Sequence, residues 1–237
     1  MSSPVEMPVG DEGRQLSSKL NWLRAGVMGA NDGIVSIAGM VVGVAGAAVS
    51  NEALLAAGFA ALAAGALSMA VGEYVSVSSQ RDSQRAELEN EQAQLARNPE
   101  YELQQLTRLI HAEGIDQPLA RQVARQLTEK DPLTAHARLE LGIDPKVLSN
   151  PWQAGLASML AFIAGGVIPL AAILLSARDI AVSVTAVAVM IALGVTGSVS
   201  AHFGRAPKLR AVLRTVGGGI LAMGITYSVG SLVGAQI

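Results

Sequence analysis

Cysteine is absent from the 237-residue chain. That excludes disulfides, thiolate metal sites and cysteine nucleophiles, and leaves the redox compartment open. Charge is scarce. Charged residues make up 15% and aromatics 3%, where an ordinary soluble domain carries about 25% charged residues. The chain is also 51% hydrophobic, far too apolar for a disordered polymer. What charge there is sits in blocks. Between Ala25 and Gly72 the only ionisable side chains are Asp32 and Glu52, and residues 151–177, 180–201 and 215–237 hold no Asp, Glu, Lys or Arg. Apolar runs of about 18 residues or more are long enough to cross a bilayer as helices. A soluble enzyme is thereby disfavoured, and an integral membrane protein is expected.

Five spans are predicted, over residues 25–49, 53–78, 153–177, 180–201 and 209–234. Short polar turns at Ser50-Asn51-Glu52 and at 176–179 make the first two and the next two helical hairpins. Orientation follows from Lys and Arg beside the spans. Arg14, Lys19 and Arg24 precede span one, and Arg205, Lys208, Arg210 and Arg214 lie between spans four and five. Nine more lie between spans two and three, and the opposite side has only Arg178. With five spans all three basic regions share one side. The N-terminus is then cytoplasmic and the C-terminus outside. The first residues carry Glu6, Asp11 and Glu12 rather than the basic start of a secretory signal. Residues 1–23 read as a flexible cytoplasmic tail, 24–78 as spans one and two, and 151–237 as spans three to five.

Residues 79–150 are a different material, with 12 of the 19 acidic residues. They read as a cytoplasmic helical domain inserted between spans two and three. Span two runs on without Pro or Gly to Ala96, Asn98-Pro99 opens a new helix, and Glu113-Gly114 ends it. Pro118 starts the next helix, and Asp131-Pro132 starts a last one that ends at Gly142. The apolar content is low for a domain of this size, so a metal or a second copy is expected to help it fold. The fold class is therefore all-α: five transmembrane helices with a helical cytoplasmic insert.

Two carboxylates stand where they are costly. Asp32 lies about a third of the way along span one, and Glu73 about one turn before the end of span two. A carboxylate at depth costs several kcal/mol (about 3 on the lenient insertion scale), so both are candidates for function. Met28 precedes Asp32 by four residues, as Met69 precedes Glu73. Residues at i and i+4 share a helix face, so each helix can offer a thioether and a carboxylate to one cavity. Asn31 can add a carbonyl oxygen. Soft sulfur beside hard oxygen suits a borderline transition ion better than Mg2+ or Ca2+. The alternative is that the carboxylates are structural or pH-sensing groups and the methionines packing. Glycines at Gly29-x-x-x-Gly33 and Gly39-x-x-x-Gly43 allow close helix contact, within one chain or in a dimer. Pro169 is expected to kink span three.

In the insert, Glu87 and Glu91 are one turn apart, as are His136 and Glu140, and Glu102 and Gln105 lie between them. Facing helices with Glu and His at such spacings hold iron or manganese in bundles. A solvated acidic face is the rival reading. It suits Glu89, which follows Arg85 by four residues, better than Glu87, Glu91 or Glu140.

Three stretches are distinctive: LRAGVMGANDGIVSIAGMVVGV at 23–44, SMAVGEYVSVSSQRD at 68–82, and RLELGIDP at 138–145. Together, and in this order of two spans, an insert and three spans, they resemble the vacuolar iron transporter family over nearly the whole chain. The resemblance implies a homodimer that moves Fe2+, often Mn2+ too, out of the cytoplasm in exchange for protons. Zn2+ and Co2+ are further candidate ions. No cofactor and no nucleic acid are implied. Asp32, Met69 and Glu73 would line the path near the dimer interface. In the insert the resemblance assigns metal to Glu102 and Glu140, with Glu91 a better match than Glu87. His136 and Ala137 replace a family Met pair, and Gln105 stands where a carboxylate is expected, so fewer ions or a different ion are implied. A membrane-anchored sensor or storage module and a passive channel are the rivals. An enzyme is not expected: no nucleophile motif is present, and His202 has no carboxylate close in sequence. A bacterial inner membrane is the expected location.

Overall fold

A computed structural model describes residues 9–47 and 50–235. Among them the regular structure is entirely helical. The helices are α1 (Val9–Gly46), α2 (Asn51–Arg97), α3 (Pro99–Ala112), α4 (Gln117–Lys130), α5 (Pro132–Leu139), α6 (Pro151–Leu175), α7 (Ala181–Phe203) and α8 (Lys208–Gly234). Five are long and apolar enough to cross a membrane: Ala25–Gly46 within α1, α2, α6, α7 and α8. The protein is an integral membrane protein. The chain divides into two compact units, one of residues up to Val75 and from Pro151 onward, the other Ser76–Asn150.

In the first unit, glycine sets how closely helices approach. A Cβ at Gly33 would run into the Phe162 carbonyl of α6, and one at Gly165 into the Ala30 carbonyl of α1. On α1's next turns, Gly39 and Gly43 lie against Thr226 of α8, whose Gly230 meets Gly43 in turn. Both small-residue pairs are thus used within the chain, where packing between backbones replaces the hydrophobic drive that lipid does not supply. Ile34, Ile37, Ala38 and Val41 of α1, Ala66 of α2, Phe162 and Ile173 of α6, and Val189 and Leu193 of α7 form the buried core. Pro169 is buried inside α6, which continues to Leu175.

Helix α1 begins at Val9, within the segment 1–23 expected as a tail. Residues 14–24 contain no Pro or Gly, and extending an existing helix adds a hydrogen bond per residue without a new nucleus. Residues 1–8 lie outside the described part.

In the second unit, α3 and α4 pack through Leu106, Ile110, Ala120 and Ala124, with Ala135 of α5. This is a small core, much of it alanine. Asp131 caps α5: its side chain accepts from the Thr134 amide at 3.0 Å and from the Thr134 hydroxyl at 2.7 Å. The helix stops at Leu139, before the expected Gly142. The chain then turns through Gly142 at φ +64°, and the Ile143 amide bonds back to the Ala137 carbonyl at 2.7 Å. That turn removes Gly142 from the helix while leaving Glu140 at its end.

Candidate metal centre

Three helices of the second unit, α2, α3 and α5, each bring a polar side chain inward beside apolar neighbours. On α2, Glu91 stands three residues after Leu88 and four before Leu95, both half-buried. On α3, Glu102 begins the row that continues as the buried Leu106 and Ile110. On α5, His136 is flanked by the buried Ala135 and Ala137. Glu102 and His136 are almost fully enclosed, at 2% and 0% exposure. Glu91, Glu102, His136 and Glu140 offer one ligand atom each within 4.8 Å of one another. Among the described residues this is the one group of three or more His, Asp or Glu side chains so placed.

The imidazole sits inside a carboxylate cage. His136 Nδ1 is 2.9 Å from Glu91 Oε1, 3.3 Å from Glu140 Oε2 and 3.9 Å from Glu102 Oε2. In its Nδ1–H form the ring donates to Glu140. The approach to Glu91 is close but off-line, and Glu91 Oε1, Glu102 Oε2 and His136 Nε2 are buried without a hydrogen-bond partner. Unpaired buried polar atoms are costly. Burial, with the negative charges of Glu140 and Glu102, pushes the Glu91 carboxyl above the usual carboxylate range, and His136 only partly offsets this. A divalent cation held by the carboxylates and His136 Nδ1 would satisfy Glu91 Oε1 and Glu102 Oε2 and relieve that repulsion together. The donors are three carboxylates and an imidazole, with no sulfur, a set that suits Fe2+, Mn2+ or Zn2+.

Two residues singled out from sequence fall outside this group. Gln105 is half-buried, and its amide donates to Glu140 Oε1, one of the group. Glu87 is exposed and does not join the cluster.

In the first unit, Asp32 Oδ1 accepts from the Ser36 hydroxyl at 3.0 Å. Asn31 Oδ1 is buried with no partner. Met28, Asp32, Ser36 and Met40 form one i, i+4 row along α1. Met28 and Met40 are 51% and 40% exposed. Ser36 and Met40 escaped the sequence reading, although the same four-residue step that linked Met28 to Asp32 leads on to them. On α2, Met69 packs on the core and Glu73 is half-buried. The next residue, Tyr74, packs its ring against Trp152 of α6 at 4.7 Å.

The VIT family model matches residues 23–231. The chain belongs to the VIT family. It is 45% identical over 224 residues to a protein named vacuolar iron transporter in Acanthamoeba castellanii, covering 94% of this chain and 83% of the relative. It is 35% identical over 220 residues to vacuolar iron transporter homolog 5 of rice, covering 92% and 83%. It is 33% identical over 219 residues to vacuolar iron transporter homolog 2 of Arabidopsis thaliana, covering 92% and 87%. The VIT match spans all five apolar helices and the unit that holds the carboxylate cage.

Proposed function

We propose that this VIT-family protein is a divalent transition-metal transporter that exports Fe2+ or Mn2+ from the cytoplasm in exchange for protons. The observation that carries the reading is the group of buried Glu91, Glu102 and His136 with half-buried Glu140, in which Glu91 Oε1 and Glu102 Oε2 have no hydrogen-bond partner. The iron-transporter names of its relatives agree with it. The second unit is read as a cytoplasmic domain that collects the ion, because Lys and Arg flank the spans on that side. The ion then passes to Met28, Asn31, Asp32, Met69 and Glu73. Carboxylates hold either a metal ion or protons, so protonation from the far side weakens binding and releases the cargo. The row on α1 is exposed at Met28, Ser36 and Met40 and half-buried at Asp32, and a second copy covering it makes the transporter a homodimer. The proposed location is a bacterial inner membrane, with the C-terminus outside. A sensor or storage module would need the second unit alone, and gives no role to Asp32 in a span.

Proteoliposomes loaded with a metal-sensitive dye decide the matter. An imposed proton gradient should drive Fe2+ and Mn2+ flux, and Asp32→Ala should abolish it while the protein stays folded. Flux that ignores the gradient makes the protein a channel. Absent flux with intact metal binding leaves the sensor.

A further inference from the structure

The second unit has a cationic groove on the face formed by α3 and α4. Its cavity of about 760 Å³ is lined by Gln104, Arg108, Gln117, Arg121 and Arg125, with buried Thr107 alongside, and by no carboxylate. The lining is built by two rows at i, i+4 spacing: Gln104 and Arg108 on α3, and Gln117, Arg121 and Arg125 on α4. Like charges at i, i+4 repel by a few tenths of a kcal/mol, and α4 places two guanidiniums in that relation beside a third from α3. The counter-charge within the protein is slight. Arg121 reaches Glu100 only at 3.8 Å, with both side chains more than half exposed, a pair that contributes little. Arg108 is held in place. Its Nε donates to the Gln104 carbonyl, and its guanidinium lies 5.7 Å from the centre of the Tyr101 ring.

The groove also reaches the start of α4. Asp116 precedes that helix and makes no side-chain cap bond; Pro118 has no N–H and the Ala120 amide bonds to the Asp116 carbonyl, so the Gln117 amide is the one the first turn can offer to the groove. Three guanidinium forks at one cavity beside the start of a helix match a tetrahedral oxyanion.

We propose that this groove binds a phosphate group, presented by an anionic lipid headgroup or by a soluble phosphate. A headgroup is a candidate source because the unit is joined at both ends to helices long and apolar enough to cross a membrane, α2 and α6. The groove shares α3 with the carboxylate cage but none of its ligands, so the two sites take opposite charges on one small domain.

The test uses the full-length protein in micelles of an uncharged detergent. One arm titrates inorganic phosphate, and the other short-chain phosphatidylglycerol, each by calorimetry at two salt concentrations. Wild type should bind in at least one arm, more weakly at higher salt. Arg121→Gln with Arg125→Gln should lose about tenfold or more in affinity, as expected for two exposed charge contacts made together. Arg121→Lys with Arg125→Lys, which keeps the charge but not the forks, should lose less. Arg97→Gln with Lys146→Gln, outside the groove, should bind as wild type does. Thermal unfolding of each variant checks that it is folded. Binding in the phosphate arm identifies a soluble ligand, and binding in the lipid arm alone identifies the headgroup. No binding in either arm, or equal binding by wild type and the Gln double variant, overturns the proposal.

Discussion

At the residue scale, the cage trades stability for affinity, and Glu91 shows the trade. Its carboxyl is held above the usual range, chiefly by burial. A group whose folded value is raised favours folding below its unfolded value of about 4.3, and that contribution is lost as pH rises through the folded value. Once ionised, Glu91 therefore works against the metal-free fold. Glu91→Gln should strengthen hydrogen-exchange protection of residues 99–140 at pH 7 without metal, and should lose most of the extra protection that Mn2+ confers on wild type. Weaker protection in the metal-free variant would mean that Glu91 is a structural partner of His136. Gln105→Ala frees Glu140 without deleting a ligand, so Mn2+ affinity should fall about tenfold while one ion still binds. Unchanged affinity by calorimetry would make the Gln105 hydrogen bond incidental.

At the element scale, the short helix α5 depends on its cap. Asp131 is held below the usual carboxylate range, first by the Thr134 hydroxyl and then by the Thr134 amide. A lowered folded value means stability that is present above the unfolded value of about 3.9 and lost as pH falls through the folded one. Asp131→Ala should cost about 1 kcal/mol at neutral pH and less as pH falls through the lowered folded value, and should weaken metal binding through His136. Equal exchange rates in α5 for variant and wild type at neutral pH would remove the cap from the account. In the membrane helices, the contact of α1 with α6 has no room for a side chain at Gly33, whereas Gly26 has nothing within 4 Å of a would-be Cβ. Gly33→Val should abolish recovery of folded protein, and Gly26→Ala should leave it unchanged, as read by size-exclusion of detergent extracts.

At the scale of the whole molecule, the mostly exposed row on α1 predicts the dimer. Apolar exposure to lipid needs no explanation, but a row carrying Asp32 does, because a carboxylate facing lipid is expensive. The chain has no native cysteine, so a single introduced one reports cleanly. Met40→Cys should give a cross-linked dimer with a short bifunctional thiol reagent in membranes. Leu175→Cys, at a site 86% exposed at the far end of α6, should give much less. Equal cross-linking at both would leave no case for a specific interface along α1.

The sequence by itself determined the spans, since scarcity of charge over some twenty residues is a composition that only a bilayer or a large core accommodates. It also determined where α3 and α4 begin and end, because Pro and Gly act on backbone dihedrals locally. The gathering of Glu91, Glu102, His136 and Glu140 was only half legible. Their spacing placed each on a helix, but whether a carboxylate faces water or its neighbours depends on which stripe packs inward. Glu91 lies in line with Leu88 and Leu95, and that step was readable. Glu87, one turn earlier, faces out, which four-residue spacing alone does not distinguish. The tertiary structure brings the Gln105 amide to Glu140. It also decided that Gly29, Gly33, Gly39 and Gly43 serve contacts within the chain. A small residue marks where two backbones can meet, but the identity of the other backbone is a property of the packed molecule.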